Sequence, residues 1–423
     1  MAVKKSLSLS SQCDIYFDGL VKSRFIEMFG NPLSQTSEYE YVSIKSFSKC
    51  VVGATPSTLV EEYWNDGTIP WLSSGEVNQG RIYSTEKKIT QKGYDKCSTH
   101  IVPAHTVLIA LAGQGKTRGT VAVTEIELCT NQSICSIITD KTIEADYLYQ
   151  ALKIQYDRIR SMSNGDGGRG SLNLEIVGKI TVPKPPIELQ QQFAHFVHQV
   201  DKSKVICKQL ITGYEEVLKS RFIEMFGDPI VNEKSWSTIS LGKVTSKIGS
   251  GLTPSGGKAS YIGTDIALVR SMNVHDSLFD YDDLAYITEE QAEQLSNVVL
   301  RRSDVLLNIT GASVARCCVV PDDVLPARVN QHVCIIRTDP NVLDPCFLNY
   351  LLISDPMKAH LLNISKANGA TREAITKKMI EGLHVILPPI SVQREFVEFA
   401  DKVTSSKNQL RSCFSNAVSE VSI

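Results

Sequence analysis

The most regular pattern along the chain is an apolar alternation of steps of four and three. Over residues 188–226, which hold no proline, Leu189, Phe193, Phe196, Val200, Ser203, Cys207, Leu210, Tyr214 and Val217 fall in this register, the a and d places of a coiled-coil seam. A helix of these 39 residues would be about 58 Å long. Near the C-terminus, Val392, Phe396, Phe399, Val403, Ser406, Leu410, Cys413 and Ala417 repeat the pattern, seam serine included. A heptad this long predicts two long helices packed on one another. Two ordinary amphipathic helices, each packed on its own domain, are the plainer alternative.

Between these segments the pattern changes to short runs of alternating apolar and polar residues broken by Gly and Pro, such as residues 106–111, 120–123 and 134–138. Those runs predict strands. Helical periods intervene at residues 145–160 and 345–362, so an α+β globule with a twisted sheet is expected. The resulting division is a helix over residues 1–30, a mixed domain over 31–185, a helix over 186–227, a second mixed domain over 228–388 and a helix over 389–423.

The chain also repeats itself. Residues 23–30 read SRFIEMFG, and residues 220–227 read the same eight letters. Thr55-Pro56-Ser57 answers Thr253-Pro254-Ser255, Asn131-Gln132 answers Asn330-Gln331, and Pro185-Pro186-Ile187 with Gln190 and Phe193 answers Pro388-Pro389-Ile390 with Gln393 and Phe396. A repeat of this period marks duplicated structural units. The N-terminal segment, with Phe17, Leu20 and Arg24 matching Tyr214, Val217 and Arg221, is the last part of the same helical unit. The repeat is therefore circularly permuted across the chain ends, which implies a pseudo-twofold arrangement with antiparallel helices.

Composition adds constraints. With 42% hydrophobic and 21% charged residues, the chain is an ordinary globular one. No run approaches the roughly 18 to 20 apolar residues of a membrane helix, and the first residues lack the apolar core of a secretory leader; a cytoplasmic location is expected. The eleven cysteines are scattered without a CxxC pair and read as reduced thiols. His195 and His198 are the nearest approach to a ligand pair, and no metal is expected. A formal net charge of −2 argues against a chain basic all over but permits local basic loops.

The loops between repeated motifs carry residue types that suit DNA. In the first copy these are Ser73, Ser74 and Asn78, then Gln114, Lys116, Thr117 and Arg118 within GQGKTRG, then Arg169 in a glycine-rich run. The second copy offers Arg270, Asn273, Ser313, Lys366 and Arg372. Asn and Gln can pair with adenine, Arg and Lys with guanine, and glycines let backbone amides approach phosphate. Lys116 and Arg118 are expected to touch DNA, Arg118 as the base reader; solvated turn residues are the bland alternative.

Residues 110–117 also fit a permissive Walker A pattern, but residues 120–128 alternate like a strand where a phosphate-binding loop requires a helix. The equivalent segment of the second copy lacks Gly-Lys. Nor does either Pro-Pro pair carry the acid or amide that adenine methyl transfer needs, since they read Lys184-Pro-Pro-Ile and Leu387-Pro-Pro-Ile.

Two divergent domains alternating with repeated helices, the SRFIEMFG and PP-I-x-x-Q-x-x-F motifs and the permutation together resemble the specificity subunits of Type I restriction-modification systems, over essentially the whole chain. The resemblance implies two target recognition domains, each reading one half of an asymmetric bipartite site in double-stranded DNA. The helices would form an antiparallel coiled coil that sets spacing and docks two methyltransferase subunits. Restriction subunits would join the complex, with S-adenosylmethionine, ATP and Mg²⁺ on those partners and no cofactor on this chain. A two-headed coiled-coil adaptor for proteins is the alternative, and a nucleotide hydrolase built around Lys116 the third reading.

Overall fold

The computed structural model describes residues 9–34, 36–113, 115–163, 170–253, 261–366 and 374–421. Three long helices dominate its sequence order: Leu9–Phe29, Ile187–Phe226 and Ile390–Val421. The chain divides into two compact units, residues 13–207 with 415–423, and residues 208–414 with 1–12. The central helix gives its first half to one unit and its second half to the other.

Each unit holds a head of the same topology. In the first, strands Ser48–Val52, Ile134–Thr139, Val107–Ala110 and Val121–Thr124 lie side by side and antiparallel, with Arg81–Ile82 added parallel at the edge. In the second, Thr245–Ser250, Val333–Thr338, Val305–Asn308 and Cys317–Val319 repeat that order. A smaller sheet accompanies each: Lys87–Ile89, Ile69–Leu72 and Cys129–Thr130 in the first, Ala285–Ile287, Ile266–Val269 and Ala327–Val329 in the second. Strands Val107–Ala110 and Val305–Asn308 are buried along their whole length, so their residues are apolar except Asn308, whose amide donates to the Ser271 and Val274 carbonyls at 2.8 and 3.2 Å. The helical periods of the sequence resolve into pairs, Ala145–Ile154 with Tyr156–Ser161 and Pro345–Ile353 with Asp355–Lys366. The first pair breaks at Gln155, fully buried, whose amide donates to the carbonyls of Ala151 and Thr181, each at 3.2 Å.

The repeated motifs meet each other. In the first unit Phe25 and Phe29 of SRFIEMFG pack around Phe193 of the proline motif, at 5.5 Å each, and around Tyr147 of the head, at 5.4 and 4.9 Å. In the second, Phe222 and Phe226 enclose Phe396 at 5.4 and 5.6 Å and Phe347 at 6.1 and 4.9 Å. Phe25–Tyr147 and Phe222–Phe347 stack and the other pairs meet edge-to-face, arrangements that add to the burial of large rings. The motif's glycine ends each helix in the left-handed region, with φ of 79° at Gly30 and 71° at Gly227, where a side chain would be strained. The glutamine of the proline motif ties down the start of the central and C-terminal helices. Gln190 accepts from the Glu144 amide at 2.9 Å and donates to the Pro185 carbonyl at 2.8 Å; Gln393 does the same with Asp344 and Pro388 at the same distances.

Within each unit the two helical segments run antiparallel. Phe193 lies by Phe25 while Lys204, eleven residues on, pairs with Asp14 at 2.9 Å. In the second unit Arg221 pairs with Glu395 at 3.0 Å and Lys407 with Glu215 at 2.8 Å. The seam differs in part from the sequence expectation. Phe193, Val200, Cys207 and Tyr214 of the expected seam keep their inward places, whereas Gln190, Val197, Lys204, Ile211 and Leu218 take the places expected for Leu189, Phe196, Ser203, Leu210 and Val217. Leu210 is 50% exposed beside Ile211 at 7%, and Val217 is 47% exposed. At several of these places two adjacent residues are apolar, and where they are not the inward one is polar and bonded, as Gln190 and Lys204 are. Hydrophobicity alone therefore selected the wrong neighbour. Likewise Gln393 and Ala400 are buried in the C-terminal helix, while Val392, Phe399, Val403 and Leu410 are half-buried. The side chains of Cys413 and Ala417 lie outside the described residues.

Candidate nucleic-acid interface

Two of the loops singled out by their residue types meet at one edge of each head, those after Leu72 and Leu111 in the first and those after Val269 and Ile309 in the second. In the first head the ends of three strands are tied there: the Asn131 amide donates to the Leu72 carbonyl at 3.1 Å, that of Leu111 to Ser133 at 2.8 Å and that of Leu172 to Leu111 at 2.8 Å. These bonds bring together the turn at residues 73–79, the chain just after Leu111 and the turn at residues 131–133. The second head repeats them, with Asn330 bonded to Val269 at 3.1 Å, Ile309 to His332 at 3.0 Å and Ile375 to Ile309 at 2.8 Å. Its turns at residues 270–273, 310–316 and 330–332 share one edge in the same way.

Individual side chains fare differently. Lys116 is exposed, and its carbonyl accepts from Thr120 Oγ1 at 2.9 Å and Tyr156 Oη at 2.8 Å, so the backbone under its ammonium is held by two donors. Asn78 is exposed, its amide bonded to the Gly75 carbonyl at 3.0 Å. Ser74, Thr117 and Ser313 are half-buried in their turns, and Lys366 is exposed in the last turn of Asp355–Lys366. Gln114, Arg169 and Arg372 lie outside the described residues.

Several expected contacts prove structural. Arg118, expected to read a base, is only 8% exposed and donates to the Gly170 carbonyl. A guanidinium committed to a buried carbonyl is not presented to DNA, so its role is to anchor the chain after residues 164–169. Asn273 is fully buried: it accepts from the Arg270 amide at 3.0 Å and donates to the carbonyls of Asp280 and Asp282 at 2.9 and 3.1 Å. Ser73 is half-buried and gives both its amide and its hydroxyl to Glu76, at 2.8 and 2.9 Å. Glu76 and Asn273 thus close the same three-residue turn in the two heads. Arg270 is half-buried, bonded to the Asp283 carbonyl and set over the Tyr261 ring at 5.7 Å. These losses share one cause: a turn with a sharp reversal needs polar side chains for its own backbone, and composition cannot separate that demand from an outward one.

Sequence reasoning missed two features. One is Arg81, whose guanidinium meets Glu125 at 2.6 Å, Asp201 at 2.9 Å and Asp146, tying the first head to the central helix. Burial pulls its pKa down, and the carboxylates of Asp146, Asp201 and Glu125 outweigh it and hold the guanidinium above its ordinary value. His198 joins the cluster, Nε2 to Asp146 at 3.1 Å. The second is that the Thr-Pro-Ser and Asn-Gln motifs touch. Thr55 Oγ1 donates to Gln132 Oε1 at 2.6 Å, and Thr253 bonds Gln331 likewise. Their recurrence at nearly the same offset was the available signal.

Among the described residues, no group of His, Cys, Asp and Glu could hold a metal ion, and no helix is long and apolar enough to cross a membrane. The loop at residues 112–119 leads into strand Val121–Thr124, an arrangement unlike a phosphate-binding loop.

Comparison with known proteins identifies what this architecture is shared with. A family model described as the Type I restriction modification DNA specificity domain matches twice, over residues 36–213 and 233–417. The Type I restriction enzyme MjaIX specificity subunit of Methanocaldococcus jannaschii is 25% identical over 88% of this chain and 89% of its own. The EcoKI specificity subunit of Escherichia coli is 20% identical over 85% and 80%. A crystal structure of a Type I restriction-modification S subunit from M. genitalium shares the fold at a TM-score of 0.57 and 12% identity, covering 93% of this chain and 96% of that one. A chain from a structural study of assembly and conformational transition in a Type I system matches at 0.55 and 17%, covering 91% and 94%.

Proposed function

The chain belongs to the Type I restriction-modification DNA specificity family, and from that premise we propose that each head reads one half of an asymmetric bipartite site in double-stranded DNA. It is the recognition subunit of its complex and leaves the chemistry to others. The observation that carries the division into half-sites is the meeting of separate loops at one edge of each head, on a scaffold whose four antiparallel strands and smaller three-stranded sheet recur while the loop sequences differ. Base edges in the major groove present distinct donor and acceptor patterns, so two differently furnished edges read two different sequences.

Partner docking falls to the helices. Val205, Ile206, Leu210, Val217 and Ile223 of the central helix are between 47% and 60% exposed. A row of apolar side chains on one helix favours a partner surface, and two methyltransferase subunits are the partners proposed. These would bring S-adenosylmethionine and flip the target adenine out of the duplex, while restriction subunits would bring ATP and Mg²⁺. The work would take place in the cytoplasm.

The test is binding of the full-length chain to duplex DNA across a range of salt. Charge neutralisation of phosphates predicts a steep loss of affinity as salt rises. A chain that does not bind duplex would be a protein adaptor and not a DNA reader, and binding without a salt slope would contradict phosphate contacts.

A further inference from the structure

A hydrogen-bonded threonine–glutamine pair at the interface edge is the same in both heads. Thr55, two residues after Gly53, meets Gln132 of Asn131-Gln132, and Thr253, two residues after Gly251, meets Gln331 of Asn330-Gln331. Packing accounts for part of this recurrence. A Cβ on Gly53 would stand 1.7 Å from the Thr130 carbonyl oxygen, and one on Gly251 would stand 1.8 Å from that of Val329, so neither position tolerates a side chain. The asparagines fold their own turns, Asn131 Oδ1 accepting from the Ser133 amide and Asn330 Oδ1 from the His332 amide, both at 3.0 Å.

Packing does not account for the threonine and the glutamine. Thr55, Gln132 and Thr253 are exposed and Gln331 is half-buried. Surface residues beside divergent loops have no steric reason to be retained twice. What the pair does achieve is orientation: the hydroxyl donates to the amide oxygen, so the amide nitrogen must turn the other way. Its N–H groups are then presented outward as donors. In the second head one of them meets His332 Nε2 at 3.2 Å, and His332 Nδ1 in turn meets Thr310 Oγ1 at 2.5 Å; a primary amide keeps a second donor.

Resting on the DNA-reading function above, we propose that Gln132 and Gln331 each donate an oriented amide N–H to the sugar–phosphate backbone, a sequence-independent contact common to both half-sites, with Thr55 and Thr253 as positioning residues. A duplicated reader must vary the groups that face bases, but both half-sites offer the same phosphates. Backbone contacts fix register without carrying sequence, and a donor shared by the two heads suits that task.

The experiment measures affinity of the full-length chain for two duplexes, one carrying the methylated motif mapped in cells and one with that motif scrambled, alongside the unfolding temperature. Gln132→Leu and Gln331→Leu should each weaken both duplexes by a similar factor, about tenfold for a hydrogen bond to a charged acceptor, without lowering the unfolding temperature. Thr55→Val should lose part of that affinity and Thr55→Ser should restore it. Unchanged affinity in both glutamine variants overturns the proposal. So does a loss confined to the motif duplex, which would make the glutamines base readers, or a loss that tracks a fall in unfolding temperature, which would make the pair a loop tie only. If the unaltered chain binds neither duplex, the DNA-reading function itself fails.

Discussion

Phe193 meets Phe25 edge-on at 5.5 Å. Through that contact the proline motif at the start of the central helix is joined to the SRFIEMFG motif of the N-terminal helix. A helical segment that opens the chain thereby completes a unit whose other helix begins more than 150 residues later. Both rings are fully buried, so Phe193→Ala should destabilise its unit by about 3 to 5 kcal/mol. Phe396→Ala should do the same in the other unit. Hydrogen exchange should show each loss concentrated in the unit that holds the substitution, and equal loosening of both units by either variant would contradict it.

The displaced seam separates folding from docking. Ile211 is 7% exposed and Leu210 is 50% exposed. Ile211→Ala should cost about 2 to 5 kcal/mol in denaturant unfolding, whereas Leu210→Ala should stay within about 0.5 kcal/mol. Leu210→Asp should fold normally and bind methyltransferase subunits less tightly in co-purification. Full retention of the complex by Leu210→Asp would remove this face from the docking surface.

These two neighbours also show how far the sequence was legible. The repeat, the permutation, the antiparallel helices and most strands followed from spacing, because self-similarity and periodicity survive without knowledge of contacts. The finer register did not, because Leu210 and Ile211 are both apolar and a straight helix offers either to a partner. The interface was legible by region and illegible by residue. Arg118 and Asn273 have the chemistry of DNA contacts and spend it on Gly170, Arg270, Asp280 and Asp282 instead. Arg81 left no trace in the pattern, since its three carboxylates come from distant parts of the chain.

Arg81 is 12% exposed at its side chain, and its removal leaves Glu125, Asp146 and Asp201 facing one another. Arg81→Met should destabilise the first unit by about 3 to 5 kcal/mol. Adding Asp146→Asn should recover part of that loss, a coupling that thermal unfolding of the double variant would reveal. Simple additivity of the two losses would contradict the cluster's role.

Lys116 and Arg118 should separate cleanly. Lys116→Ala should weaken all duplexes about equally and lower the salt slope by about 1, with unfolding unchanged. Arg118→Ala leaves the Gly170 carbonyl without its donor and should cost about 1 to 3 kcal/mol of stability, with affinity falling alongside. An Arg118→Ala variant as stable as the parent that loses discrimination at a single base pair would restore it as a base reader.

The most direct test of the two-headed reading is to map methylated adenines in cells that express the chain with its methyltransferase subunits, before and after residues 31–184 are exchanged for the corresponding region of a relative. The predicted result is a bipartite motif in which one half changes and the other half is retained. A motif that changes in both halves at once, or one that is not bipartite, would contradict it.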